Sequence, residues 1–241
     1  MSGEFRNLHR EGDPLVLPNV WDVASARALQ RAGFPALGTT SLGVAAANGL
    51  LDGEQATDAD TLRLVRRLQN GGCLISVDIE RGSVGMAVAV AAAGAVGVNM
   101  EDAMGDAGAH ARLIRAVKRE APDLFVNART DTHWQRAGNL PEALRRARLY
   151  ADSGADGVFV PGLRSPADIS ALVEAVEVPI NVLFLPGALC VAELAALGVR
   201  RVSLGSLLFR AALAATVETA AAVRANAPVR PDLPGYAEVN G

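Results

Sequence analysis

The sequence predicts an α/β protein with the fold of a TIM (β/α)8 barrel. About eight short apolar segments alternate with helical segments rich in alanine and leucine, and eight βα units match that barrel. Glycine stands where predicted helices end and the next strands begin, at Gly33, Gly94, Gly154 and Gly198. Glycine just past a helix end adopts the left-handed conformation that caps it. Continuously apolar strands are typical of a parallel sheet covered by helices.

The βα units can be placed in order along the chain. The eight predicted strands are residues 14–18, 36–39, 73–79, 95–100, 124–129, 157–161, 180–184 and 201–205. The predicted helices between them include residues 22–32, 110–121, 140–153 and 190–198. A doubly wound open sheet is the alternative, but it usually has fewer strands and a glycine-rich first turn. The first turn here, PNVWDVAS, lacks the G-x-G-x-x-G pattern, so the barrel is favoured.

Domain organisation is simple. No linker or low-complexity segment divides the chain, so residues 1–241 are predicted to form a single barrel domain. The tail at about 227–241 is rich in proline. Because proline-rich segments favour extended conformations, we expect this tail to be an extended arm.

Composition excludes several classes of partner. The formal net charge is −3 and no basic patch is present, which argues against a nucleic-acid partner. The most apolar stretch, residues 86–98, is too short to span a bilayer and contains two glycines. With no secretory signal pattern, we expect a cytoplasmic protein without a membrane partner. The two cysteines, Cys73 and Cys190, argue against a disulfide framework and are expected to be packed thiols.

Polar residues follow most of the predicted strands. In a barrel, the carboxyl ends of the strands and the loops after them form the active face. The polar residues at those ends are Asn19, Asp22, Thr39, Thr40, Ser41, Asp78, Glu80, Asn99, Glu101, Asp102, Asn127, Arg129, Asp131, Asn181, Ser203 and Ser206. The sequence therefore predicts one site at the carboxyl end of the barrel.

Three carboxylates of that set indicate a metal site. Asp78 and Glu80 lie two residues apart, so on a strand they share a face, and Glu101 ends the neighbouring strand. Crowded carboxylates repel each other unless a cation neutralises them. All-oxygen ligands favour Mg²⁺, or Mn²⁺, over zinc. The alternative is a surface turn with solvated acids.

An arginine and a hydroxyl-rich turn are candidates for substrate binding. Arg129 ends the fifth predicted strand, where it could form a structural ion pair or hold a substrate carboxylate with two hydrogen bonds. Thr39, Thr40 and Ser41 could donate hydrogen bonds to a second carboxylate or merely cap the following segment.

Five segments together carry a resemblance to a known family. They are residues 17–54, SVDIERG at 76–82, GVNMED at 97–102, NARTD at 127–131 and residues 179–205. In order and spacing they resemble the isocitrate lyase/phosphoenolpyruvate mutase superfamily, over about residues 8–215. The resemblance implies a modified TIM barrel that binds Mg²⁺ and small 2-oxo or 2-hydroxy carboxylates, and makes or breaks C–C or C–P bonds next to an enolate. It also implies a homo-oligomer, a dimer or tetramer, in which the C-terminal helix is exchanged between subunits.

The resemblance also implies roles for individual residues. The implied metal ligands, usually through water, are Asp78, Glu80 and Glu101; the implied catalytic residues are Asp52 and Arg129; the implied substrate-binding residues are Thr40, Ser41 and Arg129. From its place at the end of the fifth strand, Asn127 is also expected to bind substrate. Gly38 stands where the mutases have a bulkier residue. Arg129 would hold the substrate carboxylate and stabilise the enolate oxygen.

Two departures from the superfamily pattern bear on the reaction. The metal motif is Asp-Ile-Glu, at residues 78–80, rather than the commoner D-x-D. The loop after the fourth strand lacks the K-K-C-G-H motif, whose cysteine is the general acid of the isocitrate and methylisocitrate lyases. Only 23 residues separate Glu101 from Phe125, and about half of them are predicted to be helical. A lyase that must protonate a poor carbanion leaving group would therefore lack its acid.

The sequence thus predicts a Mg²⁺-dependent carbon–carbon lyase or decarboxylase for a small 2-oxo or 2-hydroxy carboxylate. Oxaloacetate decarboxylation is the leading candidate, because CO₂ leaves without protonation. The alternatives are a phosphonopyruvate or phosphoenolpyruvate mutase or hydrolase, a non-catalytic metabolite-binding protein, and a sugar-phosphate enzyme that would use the loops after strands seven and eight.

Overall fold

A computed structural model describes residues 2–134 and 138–240. Nine strands, all parallel, form one sheet. They are β1 (Leu15–Leu17), β2 (Asn19–Val20), β3 (Ala36–Thr39), β4 (Leu74–Asp78), β5 (Gly97–Glu101), β6 (Phe125–Arg129), β7 (Gly157–Phe159), β8 (Ile180–Leu183) and β9 (Arg201–Ser203). The predicted strands all overlap observed ones, and the predicted parallel arrangement is confirmed.

The first predicted strand is divided at Pro18. Proline has no backbone N–H to donate to a ladder, and β1 and β2 flank it. The first part pairs with β9 and the second with β3. The sheet therefore runs β1-β9-β8-β7-β6-β5-β4-β3-β2, and its two ends meet through Pro18 in a nearly closed barrel. The predicted barrel is confirmed, and the open-sheet alternative is wrong.

Helices connect and cover the strands. They are α1 (Ser2–Asn7), α2 (Val23–Arg31), α3 (Ser41–Ala47), α4 (Asp58–Leu68), α5 (Val84–Ala92), α6 (Ala107–Glu120), α7 (Leu140–Ala151), α8 (Pro166–Ala175), α9 (Val191–Ala196), α10 (Leu207–Arg224) and α11 (Tyr236–Asn240), with a 3₁₀ turn at Gln69–Gly71. Side chains cap several of their amino ends. Asp22 accepts a 2.7 Å hydrogen bond from the Ser25 backbone N–H at the start of α2, which satisfies one of the free donors of the first turn.

The amino-terminal end of the barrel is filled by aromatic residues. Phe5 of α1 is fully buried and packs edge-on against Phe125 at the start of β6, with ring centroids 5.3 Å apart. His9 stacks on the same Phe125 ring at 4.5 Å. Gly97 makes room for this packing, since a Cβ there would lie 3.2 Å from both Phe5 and Phe125 side chains. With this end closed, the carboxyl end is left for a site.

The expectations for the C-terminal tail and for the two cysteines hold only in part, and the expected exchange of the C-terminal helix is untested. The tail is not extended throughout, because Tyr236–Asn240 form α11. Cys73 is half-buried, but Cys190 is exposed, so the prediction of a packed thiol is wrong for Cys190, which stands at the amino end of α9. Exchange of the C-terminal helix stays a prediction. Over the ranges 2–134 and 138–240, no helix combines the length and apolar character needed to cross a membrane.

Candidate active site

A cavity of about 290 Å³ opens at the carboxyl end of the barrel. Five of the predicted site residues line it, namely Thr40, Ser41, Asp52, Asp78 and Arg129. Glu80, Glu101 and Asn127 do not line it, although Glu101 pairs with Arg129 and Asn127 donates to Asn99, both of which do. Apolar residues cover the opposite wall, among them Phe159 and Leu183. The strand-end rule therefore located the cavity, while the individual roles depend on the contacts described next.

Asp78 is held in place by hydrogen bonds with three neighbouring elements. Its Oδ1 accepts a 3.1 Å hydrogen bond from Asn99 Nδ2, and its Oδ2 accepts one of 3.4 Å from the Ser41 backbone N–H. Its own backbone N–H donates to Thr39 Oγ1 at 2.8 Å. Asn127 Nδ2 donates to Asn99 Oδ1 at 3.0 Å. Asn127, predicted to bind substrate, thus contacts the site through Asn99.

Glu80 was expected to lie on the same strand face as Asp78, but the strand ends before it. The strand ends at Asp78, and Glu80 has a φ of +52°, a left-handed conformation that side chains with a Cβ rarely adopt. Its Oε2 accepts a 2.7 Å hydrogen bond from the Gln55 backbone N–H, and its Oε1 accepts one of 3.1 Å from Thr57 Oγ1. Burial raises its pKa, against these two hydrogen bonds. The alternation rule fails here because the chain turns directly after Asp78.

Arg129 forms an ion pair, as one of its two predicted roles required, and it also lines the cavity; binding of a substrate carboxylate stays a prediction. Its Nη1 lies 3.0 Å from Glu101 Oε2 and its Nε donates to Asp131 Oδ1 at 2.6 Å. The guanidinium also lies over the Phe159 ring, with Cζ 5.9 Å from the centroid. Burial lowers the pKa of Arg129, but the two carboxylates outweigh it and keep the group cationic.

Glu101 lies in an electrostatically crowded position. Burial raises its pKa to about 7, against the attraction of Arg129 and with added repulsion from Asp78, Asp131 and Glu80. A cation near these groups would relieve that repulsion. This part of the structure therefore has the electrostatic character expected beside a metal ion.

The side chains that could bind Mg²⁺ agree only in part with the predicted site of three carboxylates. In the described parts of the chain, no three His, Cys, Asp or Glu side chains converge closely enough to hold an ion directly. All three carboxylates have protein partners, but of the three only Asp78 lines the cavity. Mg²⁺ commonly keeps several waters and binds through one or two carboxylates. The residues present therefore fit Mg²⁺ bound mainly through Asp78, and the three-carboxylate metal site stays a prediction.

A buried network behind the site was not anticipated. Asp102 Oδ2 accepts hydrogen bonds from Tyr150 Oη at 2.7 Å and from Arg146 Nη1 at 2.8 Å. Asp102 Oδ1 accepts from the backbone N–H groups of Asp131, at 3.1 Å, and Met104, at 3.0 Å. Burial opposes ionisation, but these hydrogen bonds outweigh it and lower the pKa of Asp102. The network fixes Asp131, and through it Arg129. Its signals in the sequence were Asp102 at a strand end and the spacing of four residues between Arg146 and Tyr150 in one helix.

The connection after β5 is short. Only residues 102–106 separate β5 from α6, and Ala103 and Met104 both have positive φ, of 44° and 57°. The helix begins three residues earlier than predicted, so this connection is shorter than the sequence suggested. A long lid carrying an acid does not fit in it.

Arg201 was also missed. It is 3% exposed and lines the cavity together with Ser203. Its position could have been found from the sequence. Ser203 was expected at the end of a strand, and Arg201, two residues before it in β9, lies on the same face of that strand.

Comparison with known proteins places the chain in a family. The family model described as phosphoenolpyruvate phosphomutase matches residues 5–224. The chain belongs to the isocitrate lyase/phosphoenolpyruvate mutase superfamily. Within this superfamily it is 41% identical to the uncharacterized protein Rv1998c of Mycobacterium tuberculosis, over 98% of this chain and 94% of that protein.

Two further superfamily members show the range of activities. The 2-methylisocitrate lyase of Bacillus subtilis is 29% identical over 75% of this chain and 66% of the lyase. The crystal structure of a candidate phosphonomutase from Burkholderia cenocepacia J2315 is 38% identical, with a TM-score of 0.85, over 93% of this chain and 98% of that chain. The superfamily resemblance is thereby confirmed, and the named relatives include lyases and a phosphoenolpyruvate phosphomutase.

Proposed function

We propose that the protein is a Mg²⁺-dependent carbon–carbon lyase that acts on a small 2-oxo or 2-hydroxy carboxylate through an enolate. The observation that carries the proposal is that Asp78 and the guanidinium of Arg129 line the same cavity. The pair provides a carboxylate for the metal and a fixed cation for the substrate. The superfamily's lyases and mutases support this class of reaction.

Arg129 and the turn after β3 would hold the acid end of the substrate. Because Arg129 is fixed by Glu101 and Asp131, its remaining surface faces the cavity in one orientation. A guanidinium fixed in this way stabilises negative charge that develops on an enolate oxygen without having to reorganise. Thr40 and Ser41 line the same wall and would donate hydrogen bonds to the carboxylate.

Asp78 would hold Mg²⁺, or Mn²⁺, with Glu80 and Glu101 contributing through water. Such an ion, when bound, acts as a Lewis acid on the substrate carbonyl. Asn99 and the Ser41 backbone N–H orient the Asp78 carboxylate for this role.

Oxaloacetate decarboxylation is the simplest reaction for this site. The CO₂ that leaves needs no proton, and the enolate that remains would take its proton from water at the mouth of the cavity to give pyruvate. The short β5–α6 connection, with no room for a lid carrying an acid, is therefore not an obstacle. Retro-aldol cleavage of a 2-hydroxy acid needs in addition a base for the hydroxyl. Asp52, an exposed carboxylate on the cavity wall, would serve as that base.

A second candidate function is phosphonate chemistry, as a phosphonopyruvate or phosphoenolpyruvate mutase or hydrolase. The family model and the Burkholderia relative favour it. A non-catalytic metabolite-binding protein is the third reading. A cytoplasmic location and assembly into a homo-oligomer stay predictions from the sequence.

The test measures turnover of oxaloacetate and of phosphonopyruvate, with Mg²⁺ and with EDTA. We expect pyruvate release from oxaloacetate that exceeds the rate with Mg²⁺ alone and disappears in EDTA. Asp78→Ala should abolish it, and Arg129→Ala should lower kcat roughly 100-fold or more, as for loss of one donor to a developing oxyanion.

Arg119→Ala is the matched control, because this arginine is 73% exposed and pairs only with the adjacent Glu120 in the described chain. It should retain full activity. Turnover of phosphonopyruvate but not oxaloacetate would support the second candidate. Full activity in Arg129→Ala would overturn the mechanism.

A further inference from the structure

The cavity has two chemically different sides. The sheet places β3, β4, β5 and β6 next to one another, followed by β7, β8 and β9. The ends of the first group supply polar side chains, among them Thr40, Asp78 and Arg129. The ends of the second group and the loops after them supply an apolar wall, made by Phe159, Pro161, Leu183, Leu185, Leu204 and Leu207. A substrate whose acid end lies on the polar side therefore directs the rest of its chain toward this apolar wall.

The cations on the apolar side are poorly placed to bind a second charged group. Arg201 is 3% exposed, its Nη1 is buried, and its Nε donates to Ser203 Oγ at 3.3 Å. Arg210 is exposed in the first turn of α10, where water and salt screen its charge. Ligand pockets combine mostly apolar walls with a few polar groups that fix orientation. We therefore expect an apolar substituent at this wall.

The surroundings of the site favour a cleavage that keeps the enolate and releases a neutral fragment. The β5–α6 connection comprises only residues 102–106, with no room for a lid carrying an acid, so a fragment that leaves as a carbanion would find no proton donor there. An aldehyde leaves without gaining a proton. Arg129, fixed by Glu101 and Asp131, can meanwhile stabilise the negative charge of the enolate that stays behind.

Release of an aldehyde needs a base for a hydroxyl group, and Asp52 is placed to act as one. Asp78 is hydrogen-bonded to Asn99, whereas Asp52 is exposed and lines the cavity. The loop that carries Asp52 is anchored by Glu80, whose Oε2 accepts a 2.7 Å hydrogen bond from the Gln55 backbone N–H. An anchored carboxylate at the cavity is what general-base catalysis requires.

We propose that the protein cleaves 4-hydroxy-2-oxo acids that carry an apolar substituent on C4, giving pyruvate and an aldehyde. The inference rests on the proposed function, because the 2-oxo acid end lies at Arg129 and Asp78 in both, and it names the substrate class. The substituent on C4 lies against the apolar wall, with Leu183 as one of the residues that contact it.

The reaction balances without a further reactant. Asp52 takes the proton of the C4 hydroxyl, and the C3–C4 bond breaks as the C4 oxygen becomes the carbonyl of the aldehyde. The electron pair of that bond forms the enolate, whose charge Arg129 stabilises. Asp52 then returns the proton to C3, which gives pyruvate and restores the carboxylate. Nothing is oxidised or reduced.

The first experiment measures pyruvate release by the whole protein, in Mg²⁺, from 4-hydroxy-2-oxoheptanoate, 4-hydroxy-2-oxopentanoate and 4-hydroxy-2-oxoglutarate. We expect kcat/KM for the heptanoate to exceed that for the pentanoate about 10-fold, the factor for two more buried methylenes, and to exceed that for the glutarate. Leu183→Ala should lower the heptanoate-to-pentanoate ratio. Leu233→Ala is the matched control, because Leu233 is 56% exposed in the tail, and it should preserve the ratio.

The second experiment tests the base. Asp52→Asn should lower cleavage of the heptanoate roughly 100-fold or more relative to its effect on oxaloacetate decarboxylation, which needs no base. Calorimetry should show that the variant still binds 2-oxoheptanoate, which has the same chain without the hydroxyl. Asp58→Asn is the matched control, because Asp58 is exposed at the start of α4, and it should retain both reactions.

Each outcome decides the inference. Oxaloacetate turnover without cleavage of any of the three hydroxy acids would overturn it and leave the decarboxylation standing, whereas cleavage without oxaloacetate turnover would support it while the decarboxylation fails. Equal losses of both reactions in Asp52→Asn would overturn the assigned base. A preference for the glutarate, or an unchanged ratio in Leu183→Ala, would overturn the apolar subsite. If Leu183→Ala does not fold, Leu207→Ala on the same wall must lower the ratio.

Discussion

Replacement of Tyr150 by phenylalanine tests the buried network that supports Arg129. The Tyr150 side chain is fully buried, and its hydroxyl donates to Asp102 Oδ2 at 2.7 Å. The ring packs edge-on against His110, with centroids 4.8 Å apart. Phenylalanine keeps this packing, so the substitution removes this hydrogen bond and the weaker one, of 3.3 Å, that Arg146 Nη1 donates to the Tyr150 hydroxyl, and little else.

The expected loss follows from the partners that remain. A hydrogen bond to a charged group contributes about 1.5–3 kcal/mol to the free energy of unfolding. Because Arg146 still donates to the same Asp102 oxygen, we expect the lower part of that range, about 2 kcal/mol, or a fall in Tm of roughly 4–8 °C. Since the Tyr150 bond helps to lower the pKa of Asp102, its contribution is present above the unfolded pKa of about 4 and is lost as pH falls.

Urea unfolding at pH 7 measures this difference. Tyr236→Phe is the matched control, because Tyr236 is 87% exposed, and it should leave the free energy of unfolding unchanged. A loss below about 0.5 kcal/mol in Tyr150→Phe, the size of an ordinary surface change, would refute the reasoning. So would an equal loss in the control.

Two more predictions concern a titrating acid and a strained turn. Burial raises the pKa of Glu101 in the folded protein to about 7. Its contribution to the free energy of unfolding is therefore present below the unfolded pKa of about 4.3 and is lost as pH rises through 7. Urea unfolding in EDTA should show this loss in wild type but not in Glu101→Gln, and identical pH profiles for the two proteins would contradict the prediction. Gly162 has a φ of +86°, and a Cβ there would lie 2.9 Å from the His133 backbone oxygen, so Gly162→Ala should lower the free energy of unfolding by more than about 1 kcal/mol. Gly187→Ala, with a φ of +79° and no atom within 4 Å of its Cβ, should cost less in the same urea assay; an equal cost would show that the contact with His133 contributes nothing.

Local signals were sufficient for the barrel and for the position of the cavity. Apolar runs and helix-ending glycines mark the βα units, since hydrophobic periodicity and capping depend on residues close in sequence. The parallel direction of the strands then brings all their carboxyl ends to one face. Asp78 and Arg129 were located in this way before any contact was known.

Glu80, Asp102 and Arg201 show where local signals end. The left-handed turn at Glu80 and its bonds to residues 55 and 57 are not encoded in the alternation of β4. Asp102 meets Tyr150 across 48 residues of sequence. Nη1 of Arg201 has no hydrogen-bond partner within the described residues, which no pattern along β9 could have shown.

The sequence by itself thus determined the fold class, the family and the end of the barrel where the site lies, because each depends on local patterns or on motifs in a fixed order. Only the tertiary structure decided which of the strand-end carboxylates line the cavity and which hydrogen-bond partners hold each of them. The physical reason is that the charge balance of a buried group depends on every strand and loop packed around it. Those neighbours come from distant parts of the chain.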